Sequence, residues 1–146
     1  MIKLTMDRTD IKGMIERGTI LHGHAGPYLN LGIRMGVLAL NILNVKGYFD
    51  LSVEVELKNH RPVSCLIDGL QISTGCTLGK GNIKIKDNPN ITRAIYKSDK
   101  SKLIICLKPG ITKLLDFETY SCEDLGKNIL DIPDEQLFDY YTEDND

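Results

Sequence analysis

The period of the hydrophobic pattern changes several times along this chain, and each change predicts an element. From about Asp7 to Arg17, Ile11, Met14 and Ile15 share one side while charges occupy the rest, which predicts a helix. Thr5 or Asp7 is placed to cap its start and Gly18 to end it. A Gly-rich turn follows, Leu21-His-Gly-His-Ala-Gly-Pro-Tyr28, in which Pro27 suits the first turn of a second helix. That helix, from about Tyr28 to Leu43, is apolar on most sides and therefore expected to be buried, with Asn30, Arg34 and Asn41 as its polar stripe. Gly32 and Gly36 leave a strip without side chains where another backbone can come close.

Beyond a turn at Asn44 to Asp50 the period drops to two. Leu51-Ser-Val-Glu-Val-Glu-Leu57 alternates strictly, apolar on one face and charged on the other. Lys58 to Pro62 breaks that strand, and Val63 to Ser73 returns to helical spacing with Gly75 as terminator. Gly79 to Gly81 turns the chain into a strand at Ile83 to Lys86. Asp87-Asn-Pro-Asn90 is a turn, and strands at Ile91 to Lys97 and Lys102 to Lys108 are joined by a hairpin loop at Ser98 to Ser101. The order of elements predicts an α+β fold, with two N-terminal helices and a third packed on an antiparallel or mixed sheet. After Pro109 the pattern weakens. A turn or short helix is expected within Asp116 to Gly126, another within Pro133 to Tyr141, and a frayed end from Thr142.

Composition narrows the class. Hydrophobic residues at 42% and charged residues at 26% describe a globular domain, and no apolar run is long enough to span a membrane. The N-terminal residues lack a secretory pattern, so a cytoplasmic location is expected. Charge is unevenly spread. From Asp116 onward there are 11 acidic residues and one basic, whereas residues 1–115 hold 17 basic and 9 acidic. The expected organisation is therefore a core domain over 1–115 and an acidic extension over 116–146, packed on the core or trailing from it. The basic body can attract phosphate- or carboxylate-bearing molecules. Nucleic acid is not an expected partner, because no aromatic interleaving or known motif accompanies the basic stretch.

Two segments carry more polar residues and glycine than packing needs. His22-Gly23-His24 directly precedes a helix start, where unpaired N–H groups favour anions and two imidazoles can converge on one metal ion. A purely structural role, with one His capping and the other facing solvent, is the alternative. The second segment runs from Cys65 to Asn82. On a helix Cys65, Asp68 and Gln71 are spaced three apart and line one cleft. A continuous helix would hold Cys65 and Cys76 about 16 Å apart, so one metal cannot take both. Cys65 is the better ligand candidate. Thr77-Leu-Gly-Lys-Gly-Asn82 lacks the spacing of an ATPase or GTPase phosphate loop, although Lys80 still offers a positive charge to an anionic ligand. Disulfides are not expected among Cys65, Cys76, Cys106 and Cys122, and Cys106 reads as a buried thiol in its strand.

Together, His22-Gly-His24, Gly32-Ile-Arg-Met-Gly36, Cys65, Asp68, Gln71 and Thr74-Gly-Cys-Thr-Leu-Gly-Lys-Gly-Asn82 resemble, in order and spacing, the FmdE-like family, which takes its name from a component of formylmethanofuran dehydrogenase. The resemblance covers roughly residues 18 to 115. It implies an α+β core like the catalytic domain of glyceraldehyde-3-phosphate dehydrogenase, frequent homodimers, and a pocket holding a divalent transition metal, most simply zinc. It also implies company with molybdenum or tungsten enzymes of methanogenesis. The expected ligands are His22, His24 and Cys65, while Asp68, Gln71, Thr74, Lys80 and Asn82 would hold a small anionic or pterin-like cofactor. Two departures matter. The family pattern His-Gly-His-x-Cys-Pro-Gly has Gly26 and Tyr28 here in place of Cys and Gly, and the C-terminal zinc ribbon of many members is absent. The expected function is a metal- or cofactor-binding protein. The alternatives are a small stand-alone enzyme with Cys65 or Cys76 as nucleophile, and a degenerate paralogue serving as a partner-binding module.

Overall fold

The computed structural model describes residues 2–115 and 122–144, with residues 122–125 described in backbone only. Helix α1 spans Ile11–His22, starting and ending later than its pattern predicts. Its cap is Asp10, which accepts from Gly13 N at 3.0 Å. Asp7 instead takes the Thr9 hydroxyl and amide, and these bonds hold its carboxyl below the ordinary value. Gly18 does not terminate the helix. It lies inside, buried against α2, where a Cβ would meet Leu29 and Ile33 at an ordinary contact distance of 3.4 Å, and its cost of about 1 kcal/mol is too small to end the helix. The chain leaves the helix at Gly23, whose φ of 98° is left-handed and whose N–H reaches Thr19 O. His22 is thus fixed in a helical last turn rather than on a free loop.

Helix α2, Pro27–Leu43, begins as predicted with Pro at its first position. It packs against α1, against α3 (Leu66–Thr74, entered through a 3-10 turn at Val63–Cys65), and against the sheet. The glycine strip is used by α3. A Cβ on Gly32 would lie 2.1 Å from Leu66 O, and one on Gly69 the same distance from Leu29 O. Ser73 Oγ bridges the gap to Gly69 O at 2.9 Å and Gly32 O at 3.3 Å. Two backbones therefore meet directly, which positions the start of α3 beside the end of α1.

Strands β1 (Ser52–Leu57), β2 (Ile83–Asp87), β3 (Arg93–Lys97), β4 (Ser101–Leu107) and β5 (Phe138–Asp144) form one mixed sheet ordered β2-β1-β3-β4-β5. The β1–β2 pair is parallel, its crossover being α3, and the other pairs are antiparallel. One face supplies Val53, Val55, Ala94, Tyr96, Leu103 and Ile105 to the core. On the other, Glu56 departs from the simple alternation: it is buried between Arg93 at 2.8 Å and Lys86 at 3.3 Å. Cys106 lies half-buried on that same face rather than in the core.

After α4 (Pro109–Leu115), the expected turn or helix within 116–126 falls partly outside the described residues; its described part opens α5, Cys122–Asp131. The expected helix within 133–141 is shorter, Asp134–Leu137 (α6), because the chain becomes β5 at Phe138. Thr142 to Asp144, expected to fray, pair with Leu103, Lys102 and Ser101. Tyr and Thr favour this extended backbone, but an edge strand with mostly exposed side chains carries no hydrophobic alternation to announce it. Arg34 joins this C-terminal part to α2, donating to Ile129 O at 2.8 Å and pairing with Asp134 at 2.8 Å. No helix among the described residues is long and apolar enough to cross a membrane.

Candidate functional site

The packing of α1 on α3 creates one short polar contact. His22 Nδ1 lies 2.6 Å from Asp68 Oδ2. An ionised carboxylate can only accept, so Nδ1 carries the proton and, in the neutral ring, Nε2 keeps a lone pair for a ligand or a proton. Carboxylates that orient metal-binding or catalytic imidazoles work in this way. The His24 ring sits 4.9 Å from that of His22, tilted by 44°, and its Nδ1 is 3.2 Å from Ala25 O.

Two adjoining cavities open around this pair. One of about 340 Å³ is lined by His22, Cys65, Asp68, Gln71 and Arg61 with apolar Ile67, Leu78 and Ile85. The other, about 440 Å³, is lined by His22, His24, His60, Arg61 and Cys65 with Pro27, Tyr28, Pro62 and Leu115. His22, Arg61 and Cys65 belong to both, so they stand at the boundary. Gln71 contributes to the smaller cavity while its Oε1 accepts from Leu78 N at 3.2 Å.

The rest of the second segment is engaged elsewhere. Thr74 is buried, its hydroxyl donating to Leu70 O at 2.6 Å and accepting from Cys76 N. The Cys76 thiol is buried against Leu51 O, and burial pushes its pKa up, which opposes the thiolate a nucleophile needs. Lys80 Nζ donates to Gly75 O at 2.5 Å and to Thr77 Oγ1 at 3.0 Å. Asn82 accepts from Thr77 N and donates to Tyr48 O at 2.6 Å. Cys76 and Asn82 tie the loop after α3 to the residues just before β1, Thr74 and Lys80 close that loop on itself, and none of the four lines either cavity.

Sequence reasoning missed His60 and Arg61, which sit in the stretch that reads only as a strand break. No spacing signals them, because the loop between β1 and the 3-10 turn is placed by tertiary contacts such as Asn59 N to Asp87 Oδ1 at 2.9 Å. With His60, all three histidines of the chain line one cavity. Imidazole and thiol donors suit zinc-like metals. Yet among the described residues no three His, Cys, Asp or Glu side chains converge as a ligand set. The position of the thiol expected by resemblance is instructive: a Cβ on Gly26 would lie 3.0 Å from His24 Cε1. The donor chemistry fits such a metal, and the donor geometry is incomplete.

The fold and site define an α+β protein with a histidine-lined cavity. Residues 21–139 match the family described as FmdE, molybdenum formylmethanofuran dehydrogenase operon, and the chain belongs to that family. It is also similar to a probable S-adenosyl-L-methionine-binding protein of Archaeoglobus fulgidus, 37% identical over 76 residues. That match spans 48% of this chain and only 19% of the relative.

Proposed function

We propose that the chain is a metal- or cofactor-binding protein of cytoplasmic one-carbon metabolism, acting beside a molybdenum or tungsten enzyme. The single observation that carries this reading is the His22–Asp68 contact, which presents an oriented imidazole to cavities shared with Cys65. Were a zinc-like metal bound, His22, His24 and Cys65 are the donors that would hold it, and they would have to be drawn together, since they do not converge as a ligand set among the described residues. The metal would supply Lewis acidity. Asp68 would fix the His22 tautomer, Gln71 would face the ligand's polar edge, and Arg61 would meet an anionic group. S-adenosyl-L-methionine, named in the Archaeoglobus relative, has such a group in its carboxylate and belongs among the ligands tested. A homodimer, common in the family it resembles, is part of this reading.

A second reading, an enzyme with Cys65 as nucleophile, is favoured by the oriented imidazole in the same cavities. Metal analysis of the purified full chain separates the two. Stoichiometric transition metal that is lost in His22→Ala and Cys65→Ala supports the first. Metal-free protein whose Cys65 alkylates unusually fast supports the second, and metal-free protein with an ordinary Cys65 rejects both the metal centre and the nucleophile.

A further inference from the structure

A third cavity, larger than either of these at about 680 Å³, lies away from the histidines, at the N-terminal end of β1. Four separate segments build it: the residues around Lys3, the loop from Lys46 to Ser52, Asn82, and the β3–β4 hairpin at Lys97 to Asp99. Met6 N donates to Lys46 O at 2.8 Å, which brings the first segment alongside the second. Only Asn82 comes from the Cys65–Asn82 segment.

Its charges are arranged unequally. Lys3, Lys46 and Lys97 are exposed, and none of them forms an ion pair among the described residues. The Asp50 carboxylate is occupied, accepting the amides of Lys46 at 2.8 Å and Gly47 at 2.9 Å to close its own loop. Asp99 supplies an opposing charge at the hairpin. The half-exposed Phe49 ring forms part of the wall, with the Lys3 ammonium 5.0 Å and the Lys80 ammonium 5.6 Å from its centre. Lys80 is further tethered by Gly75 O and Thr77 Oγ1, so its charge is held at the edge of the cavity. Ammonium groups are strongly hydrated point charges suited to phosphoryl oxygens. Gathering them from distant parts of a chain costs repulsion that a bound anion relieves.

From this arrangement we infer a second binding site, for a phosphorylated small molecule of nucleotide size. Lys46 and Lys97 take its phosphoryl oxygens, and the exposed side chains of Leu4 and Phe49 face its organic body. The volume falls within the range of about 300–1,000 Å³ usual for small-ligand sites. The inference does not depend on the histidine cavity having any ligand.

Calorimetric titration of the full chain with ATP, pyrophosphate and inorganic phosphate tests it. ATP and pyrophosphate are expected to bind more tightly than phosphate. Raising salt from about 50 to about 200 mM should weaken binding several-fold, as expected when lysine–phosphate contacts displace counterions. In Lys46→Gln/Lys97→Gln, whose exposed positions leave the melting temperature unchanged, affinity should fall about tenfold or more, equivalent to about 1.4 kcal/mol. His22→Ala should bind like the parent. No saturable binding of ATP or pyrophosphate, undiminished binding in the double variant, or loss in His22→Ala would overturn the inference. So would tighter, equally lysine-dependent binding of single-stranded RNA or phosphatidylglycerol vesicles, which would make the surface a docking face for a larger polyanion.

Discussion

His22 and Asp68 are 46 positions apart in sequence and 2.6 Å apart in space, with the imidazole Nδ1 facing the carboxylate. The contact exists because α1 continues through Gly18 to His22 and because α3 begins close against the glycines of α2. Removing the carboxylate while keeping shape isolates its role. Asp68→Asn leaves an amide that can accept or donate, so the His22 tautomer is no longer dictated. Affinity for a metal or cofactor at this site is expected to fall about 10- to 100-fold, with the melting temperature little changed. Competition titration alongside thermal unfolding measures both.

Position 26 offers the converse experiment. A Cβ there touches the His24 ring, so Gly26→Cys places a thiol beside an imidazole after a shift of a few tenths of an ångström. Zinc affinity, measured against a chromophoric chelator, is expected to rise at least tenfold over the parent. An unchanged value would mean that His24 does not face the metal.

The α2–α3 contact makes a stability prediction. A methyl on Gly32 or Gly69 meets a carbonyl oxygen at 2.1 Å, and backbone cannot move as a flexible side chain does. Gly32→Ala or Gly69→Ala should cost about 3 kcal/mol or more, at the upper end for overpacking. The double variant should cost less than the sum, since both push the same helices apart. Gly79→Ala, with nothing within 4 Å, is the control and should stay within about 0.5 kcal/mol. Urea denaturation gives all four values.

Arg34 predicts how the C-terminal part is attached. Its guanidinium serves two main-chain carbonyls of α5 and the Asp134 carboxylate. Arg34→Ala should cost about 2 kcal/mol, the scale of hydrogen bonds to a charged group. Amide exchange should quicken in α5 and α6 while α3 stays protected.

Burial raises the Cys76 thiol pKa and holds the Tyr96 phenol well above its ordinary value. Both groups stay protonated in the folded chain at pH values where the unfolded chain releases protons, from about pH 8.5 for the thiol and about pH 10 for the phenol. The unfolded state then binds fewer protons, so stability falls as pH rises through this range and is unaffected below it. Urea denaturation between pH 7 and 10.5 should show the decline. Cys76→Ala should be less stable at pH 7 but show a shallower slope above pH 8.5.

Much of the framework could be read directly from residue order. The 3.6-residue period of α2, Pro27 at its start, the alternation of β1 and the left-handed Gly75 are local signals, and each acts within one turn or one strand pair. The family motif was legible for the same reason. That Gly18 stays inside α1 was not legible, because a glycine costs a helix only about 1 kcal/mol and the packing of α1 on α2 that carries the helix on to His22 comes from residues far away in the chain. β5 was hidden because its partner β4 supplies the hydrogen bonds and its exposed side chains leave no alternation.

The site divides along the same line. Sequence alone brought forward the His22-Gly23-His24 turn, Cys65, Asp68 and the loop to Asn82, since residue types and spacing mark them. Only tertiary structure decided which of these meet. Packing of α1 on α3 joins His22 to Asp68 and brings Cys65, His60 and Arg61 around the same cavities. Hydrogen bonds that close the loop after α3 occupy Thr74 and Lys80, and those that fasten it to the residues before β1 occupy Cys76 and Asn82. Polar side chains that look alike in sequence are separated by whether their partners are backbone or open space, and that depends on contacts between residues far apart in the chain.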